Sequence, residues 1–223
     1  MTLPAQWHLL VQEILETDWI TWVAVIMGVL EVLYARAGKI WLYPTGILGT
    51  LLTIYILMEA GLYAESLLNG YYVVMSVYGW WYWAKKKNLP PVQSSYCNRR
   101  EWGIVLAIVF GVTGLLYVLL KYCTPFMVYF TPSTVPFWDS WVSATAWAGM
   151  WLLARRKIEN WILLNISNAF AVPLLLYKHL PLFAALTVFL FIIAVQGYFQ
   201  WRKEIRLRKG GIQTILYTPT DLV

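Results

Sequence analysis

A chain of 223 residues that is 60% hydrophobic and only 13% charged, with a mean hydropathy of +0.60, falls outside the composition of soluble domains and belongs in a bilayer. Its net charge of +6 would suit nucleic acid. The distribution of the cations instead makes them topology signals and partners for anionic lipid headgroups, and no nucleic-acid partner is expected.

Residues 1–18 carry acidic Glu13, Glu16 and Asp18 and lack the basic start and small-residue cleavage pattern of a signal peptide. They are expected to lie outside the membrane. Seven apolar runs follow, at 19–34, 40–57, 62–83, 102–122, 137–154, 158–177 and 182–201. Their lengths suit a hydrocarbon core that takes about 20 helical residues to cross. They are continuously apolar rather than alternating, which makes them helices and not barrel strands. Pro44 and Pro173 fall inside the second and sixth runs, at places where a membrane helix kinks or hinges.

Basic residues are retained on the cytoplasmic side of short loops. With these boundaries 15 of the 17 lie on one side, leaving only Lys121 and Lys178 opposite. The N-terminus is therefore predicted outside and the C-terminus in the cytoplasm. Cys97 then lies in an inner loop and Cys123 at an outer helix end, so a disulfide between them would have to cross the membrane.

The third and seventh runs share an ending 118 positions apart: Val77 Tyr78 Gly79 Trp80 Trp81 Tyr82 Trp83, and Val195 Gln196 Gly197 Tyr198 Phe199 Gln200 Trp201. One three-helix unit is used twice, at 19–83 and 137–201. The helix at 102–122 stands between an inner loop (84–101) and an outer loop (123–136), and restores the orientation of the second copy. The fold class is all-α, with seven transmembrane helices in two parallel three-helix repeats joined by a linker helix (3+1+3). Trp41 precedes Trp161 by 120 positions and is read as its counterpart. Residues 202–223 read as a mobile cytoplasmic tail.

Parallel repeats suit alternating access around a midplane site, which makes a transporter the leading class. No Lys or Arg sits in the middle turns of any run, whereas the chain holds 14 tryptophans. The expected cargo is an uncharged or cationic aromatic metabolite rather than an intramembrane phosphate or carboxylate. Asn168 lies about ten residues into its run, roughly 15 Å deep. It shares a helical stripe with Trp161 and Asn165, and Asn69, Tyr72 and Ser76 form a similar stripe on the third run. Gln196 adds a third amide in that repeat. These residues are the candidate substrate contacts, since amides donate and accept together. Trp138, Asp139, Trp41 and Tyr78 are read as gating or structural. Asp139 is expected to cap the fifth run, and Glu31 to pair with Arg36 or reach water.

At Pro136 Phe137 Trp138 Asp139 Ser140, Glu159 Asn160 Trp161, Asn168 and Tyr78 Gly79 Trp80 the chain resembles the PnuC family of vitamin B3 transporters. The resemblance covers all seven runs. It implies a fold similar to the SWEET sugar transporters, a homotrimer in a bacterial inner membrane, and nicotinamide riboside moved by facilitated diffusion and captured by a cytoplasmic kinase. Trp161 and Asn168 match the family's segment-six pattern of Trp, two residues, Trp, three residues, Asn. Leu164 stands where the second Trp belongs, which keeps thiamine, carried by relatives, as the alternative cargo.

An intramembrane enzyme is the rival class. The chain has no Gly-x-Ser-x-Gly elbow, no HExxH motif and no Walker A loop. No catalytic residue, metal site or cofactor is expected. A retinal pigment would need a lysine within the last run, and 182–201 contains none.

Overall fold

The computed structural model of the protein describes residues 3–59, 63–84, 93–123, 133–178 and 181–209. Among them the chain forms eight α-helices: α1 (Leu3–Glu16), α2 (Trp19–Arg36), α3 (Leu42–Glu59), α4 (Tyr63–Ala84), α5 (Arg99–Val118), α6 (Pro136–Ala154), α7 (Asn160–Tyr177) and α8 (Pro181–Lys209). A π-helical turn, Leu119–Cys123, prolongs α5.

Local chemistry sets several of these ends. Asp18 caps α2 by accepting from the Thr21 amide at 3.0 Å, and hydrogen bonds from Thr21 hold its carboxyl below the usual carboxylate range. A reciprocal capping box between Asn98 and Glu101 starts α5 at Arg99, three residues before the apolar run begins. Two boundaries differ from expectation. The N-terminal segment is itself helical, and α8 runs eight residues past Trp201 to Lys209. The loop at 123–136 and the tail lie partly outside the described residues, at 124–132 and 210–223.

Among the described residues, five helices are long and apolar enough to cross a membrane: α2, α3, α5 with its π turn, α7 and α8. The segments predicted at 62–83 and 137–154 form helices too. Their density of Tyr, Trp and Ser lowers their hydropathy, although indole and phenol rings bury well in lipid interfaces.

Packing closes a ring: α2 on α3, α3 on α4, α4 on α6, α6 on α7, α7 on α8 and α8 back on α2. α5 packs on α6, and α1 on α8. One apolar core lies across the ring, with Ala35, Leu42, Tyr43 and Trp83 on one side of it and Leu153, Ile158, Trp161 and Trp201 on the other. A second core joins Val105 and Val109 of α5 to Ala148 and Leu152 of α6 and Leu163 of α7.

Two helix ends 118 positions apart share the same pair of backbone bonds. α2 closes with the paired bonds that end many helices, Lys39 N–H to the Tyr34 carbonyl (2.9 Å) and Gly38 N–H to the Ala35 carbonyl (3.0 Å). The end of α6 repeats them 118 positions on, with Lys157 donating to Leu152 and Arg156 to Leu153, each at 2.9 Å. The left-handed residue is Gly38 (φ 67°) in one copy and Arg156 (φ 55°) in the other. Glycine takes that conformation freely, whereas arginine is strained there. The Arg156 guanidinium compensates by lying over the Trp83 ring at 4.7 Å and within 5.7 Å of the Trp201 ring.

Candidate functional site

The repeated ending builds a floor between the two halves of the ring. Trp83 donates its indole N–H to the Ala154 carbonyl at 3.0 Å, and Trp201 donates to the Arg36 carbonyl at 3.1 Å. The two donors are 118 positions apart, and so are the two acceptors. Each tryptophan clasps the opposite half. Their rings hold a second matched pair edge-on: Tyr43 against Trp83 (5.2 Å, 90°) and Trp161 against Trp201 (5.4 Å, 81°). Gly79 and Gly197 make room for these rings, since a Cβ at Gly79 would come within 2.4 Å of Tyr43 and one at Gly197 within 2.7 Å of Trp161. The packing partner equivalent to Trp161 is therefore Tyr43, not Trp41, which is 57% exposed.

Tyr43 and Trp161 are almost fully buried, yet neither the Tyr43 hydroxyl nor the Trp161 indole N–H has a hydrogen-bond partner among the described residues. Buried polar atoms of this kind are costly unless something else satisfies them. One turn above Trp161, the carboxamide oxygen of Asn165 is in the same condition. Trp161 and Asn165 also line a cleft of about 450 Å³ between α7 and α8, with Ala169, Phe191, Val195 and Tyr198. The rim residues Ile162, Ile166 and Phe199 are exposed. An aromatic face with an N–H donor and an amide acceptor can stack a flat ring and bond a carboxamide or hydroxyl.

The other predicted contacts are distributed around this floor. Asn168 is half-buried one turn beyond Asn165 and is not part of the cleft wall. Gln196 accepts a hydrogen bond from Arg36, which ties it to the opposite half. Arg36 is thereby turned away from Glu31, and no ion pair joins the two. On α4, Ser76 is buried while Asn69 and Tyr72 are half-buried. Tyr78, the counterpart of Gln196, stacks on Tyr82 (6.1 Å).

At the other end of the bundle Trp138 stacks on Phe170 (5.4 Å, 19°). Asp139 does not cap α6, whose capping position is Val135. It lies in the first turn and accepts two bonds from Lys178, at 2.7 and 2.9 Å. The partner was visible in advance, for Lys178 is one of two cations on the sparse side of the topology.

Sequence reading missed three contributors. Tyr43 is hidden by the Tyr-for-Trp exchange. Arg156 looks like one more loop cation. Tyr71, which stacks on Trp147 of α6 (4.2 Å, 18°) and donates to its carbonyl at 3.1 Å, is one of many aromatics. The constant spacing of 118, applied to Trp161 and Gly38, finds the first two.

Comparison with known proteins gives a consistent picture. The sequence profile of a family described as "Nicotinamide mononucleotide transporter" matches residues 18–203. The chain is 25% identical over 212 residues to the nicotinamide riboside transporter PnuC of Escherichia coli, covering 86% of this chain and 89% of that protein. It is 27% identical over 204 residues to the PnuC of Neisseria mucosa, covering 86% and 75%. The crystal structure of a vitamin B3 transporter PnuC superposes with a TM-score of 0.68 at 24% identity, over 90% of this chain and 88% of that one.

Proposed function

The chain belongs to the nicotinamide mononucleotide transporter family, and from that premise we propose that its cargo is the nucleoside, nicotinamide riboside. The observation that carries this reading is the paired Trp161 indole N–H and Asn165 amide oxygen, both buried, both without a protein partner and one turn apart. Where the alternating-access movement exposes them, they would offer a nicotinamide ring an indole face and complementary partners for its carboxamide. The absence of Lys and Arg from the middle turns speaks against a phosphorylated cargo at that depth. The thiamine alternative finds no support, since the relatives compared are named for nicotinamide riboside or vitamin B3.

The two halves move against each other about the floor, in an alternating-access cycle of two three-helix repeats with α5 as linker. Breaking the Trp83 and Trp201 clasps opens the cytoplasmic side. Transport is facilitated diffusion, made one-way by a cytoplasmic kinase. The protein is a homotrimer in a bacterial inner membrane, with its N-terminus outside. Gln196, Asn168, Asn69, Tyr72 and Ser76 line the path, and Trp138, Asp139, Trp41 and Tyr78 support or gate it.

Thermal-shift titration of the purified protein with nicotinamide riboside, nicotinamide mononucleotide, thiamine and riboflavin tests the reading. A ligand that binds only the folded state raises the melting temperature in a concentration-dependent way. Stabilisation by the riboside alone is expected. Stabilisation by thiamine or the nucleotide, and not by the riboside, would overturn it.

A further inference from the structure

Glu31 is a carboxylate in the inner third of α2, within a helix apolar enough to span a membrane. Its side chain lies against α3, where a Cβ at Gly46 would sit 2.5 Å from one carboxylate oxygen and 2.6 Å from the carboxyl carbon. Any larger residue there would push the carboxylate aside. It sits where α2 packs on α3, the helix that also carries Tyr43 and that packs in turn on α4. No cation pairs with it among the described residues, and the nearest candidate in sequence, Arg36, is engaged by Gln196.

The matched position in the second half shows that the fold does not need this carboxylate. There, 118 positions on, Glu31 becomes Gly149 and Gly46 becomes Leu164. The same gap is filled from the other side by an aliphatic side chain, whose Cδ2 would lie 2.9 Å from a Cβ at Gly149. An apolar filling at one copy and an ionisable one at the other is difficult to explain by packing, because an uncompensated carboxylate is costly in such a place. The same α3 carries the Tyr43 hydroxyl, buried and without a hydrogen-bond partner among the described residues, and the adjoining α4 carries Tyr72, itself next to Tyr71 and its stack on Trp147. A carboxylate with aromatic rings on the adjoining helices suits a flat organic cation.

We propose that Glu31 is the counter-charge for the permanently cationic pyridinium of the cargo and sets the preference for a charged over a neutral ring. The inference rests on the reading of nicotinamide riboside as cargo and names the group that recognises its charge. Gly46 is a positioning residue, holding the carboxylate in the bundle.

The test compares nicotinamide riboside with its reduced form, in which the ring is an uncharged dihydropyridine of the same outline. Dissociation constants for both are measured on the purified wild-type protein, Glu31→Gln and Gly46→Ala. The wild type should bind the cation at least tenfold more tightly than the neutral form. Glu31→Gln should lose tenfold or more for the cation and stay within twofold for the neutral ring, and Gly46→Ala, which displaces the carboxylate without removing it, should lose in the same direction. Equal wild-type affinity for the two forms would overturn the proposal without any variant. Equal loss of both forms in Glu31→Gln, or no loss, would overturn it while leaving the cargo intact. Failure of the wild type to bind either form would overturn the proposal and the cargo assignment together.

Discussion

Trp161 carries two roles that one substitution can separate. Its ring fills space against Gly197 and Trp201, while its N–H is held ready without a protein partner. Trp161→Phe keeps an edge-on ring and removes the donor. The expected outcome is a loss of about fivefold in affinity for nicotinamide riboside, corresponding to about 1 kcal/mol for one hydrogen bond, with a smaller change in melting temperature than Trp161→Ala. The alanine leaves a large void and should cost about 3–5 kcal/mol of stability. Titration calorimetry and thermal unfolding of the two variants check this.

Cys97, in the loop before α5, is a second residue with a defined expectation. Burial comes first and the neighbouring Glu159 carboxylate second in pushing its thiol above the ordinary value. The thiolate is the reactive form, so at pH 8 less of it is present than in a free cysteine. In a Cys123→Ser background, alkylation by iodoacetamide should be slow at pH 8 and rise only well above the usual thiol range. Labelling at the rate of a free thiol would contradict this environment.

At the scale of elements, the two clasps are predicted to be interchangeable in effect. Trp83→Phe and Trp201→Phe each remove one indole-to-carbonyl bond to the opposite half, at about 1 kcal/mol apiece. Similar losses of melting temperature are expected from the two, and the double variant should make this end of the bundle more accessible to a membrane-impermeant thiol reagent at an engineered cysteine. A large effect from one and none from the other would show that the halves are held unequally.

The elements were readable because apolar run length and the ends of runs are one-dimensional properties. Helix ends were less so. Reciprocal capping at Asn98 and Glu101 moved the start of α5, and the polar continuation of α8 to Lys209 is supported by packing that a hydropathy window does not register. Arg208 donates to Gln93 and to the Ser94 carbonyl, both at 2.7 Å. Trp161 and the amide of Asn165 could be read from a helical stripe. Glu31 on Gly46 could not, because a large side chain on a small one across two helices leaves no periodic trace in either. Asp139 was expected to cap α6, whereas it pairs with Lys178, 39 residues away.

For the whole molecule, the expectation is transport without ion coupling. Glu31, a carboxylate within the spanning helix α2, would be a natural proton relay, and the proposal above assigns it to the cargo instead. In proteoliposomes, uptake of nicotinamide riboside should be indifferent to an imposed proton gradient, and unmodified riboside should not exceed its external concentration. Accumulation above that level would require a coupled mechanism and would reopen the role of Glu31. The end of the bundle that carries the α6–α7 turn is fastened by ionic and backbone bonds. Glu101 pairs with Lys157 at 3.0 Å, and the loop around Ser95 exchanges backbone bonds with Arg156 and Ile158.

The exchange at the helix ends has a bearing on how such a chain came to be a single polypeptide. At Gly38 a Cβ would fall 2.4 Å from the Arg156 guanidinium, so the arginine of one half occupies the space that the glycine of the other leaves vacant. A dimer of two first halves would place glycine opposite glycine and leave a hole at its centre, and a dimer of two second halves would drive two guanidinium groups together. With that pair in place, each half of this chain fits the other half better than it would fit a second copy of itself.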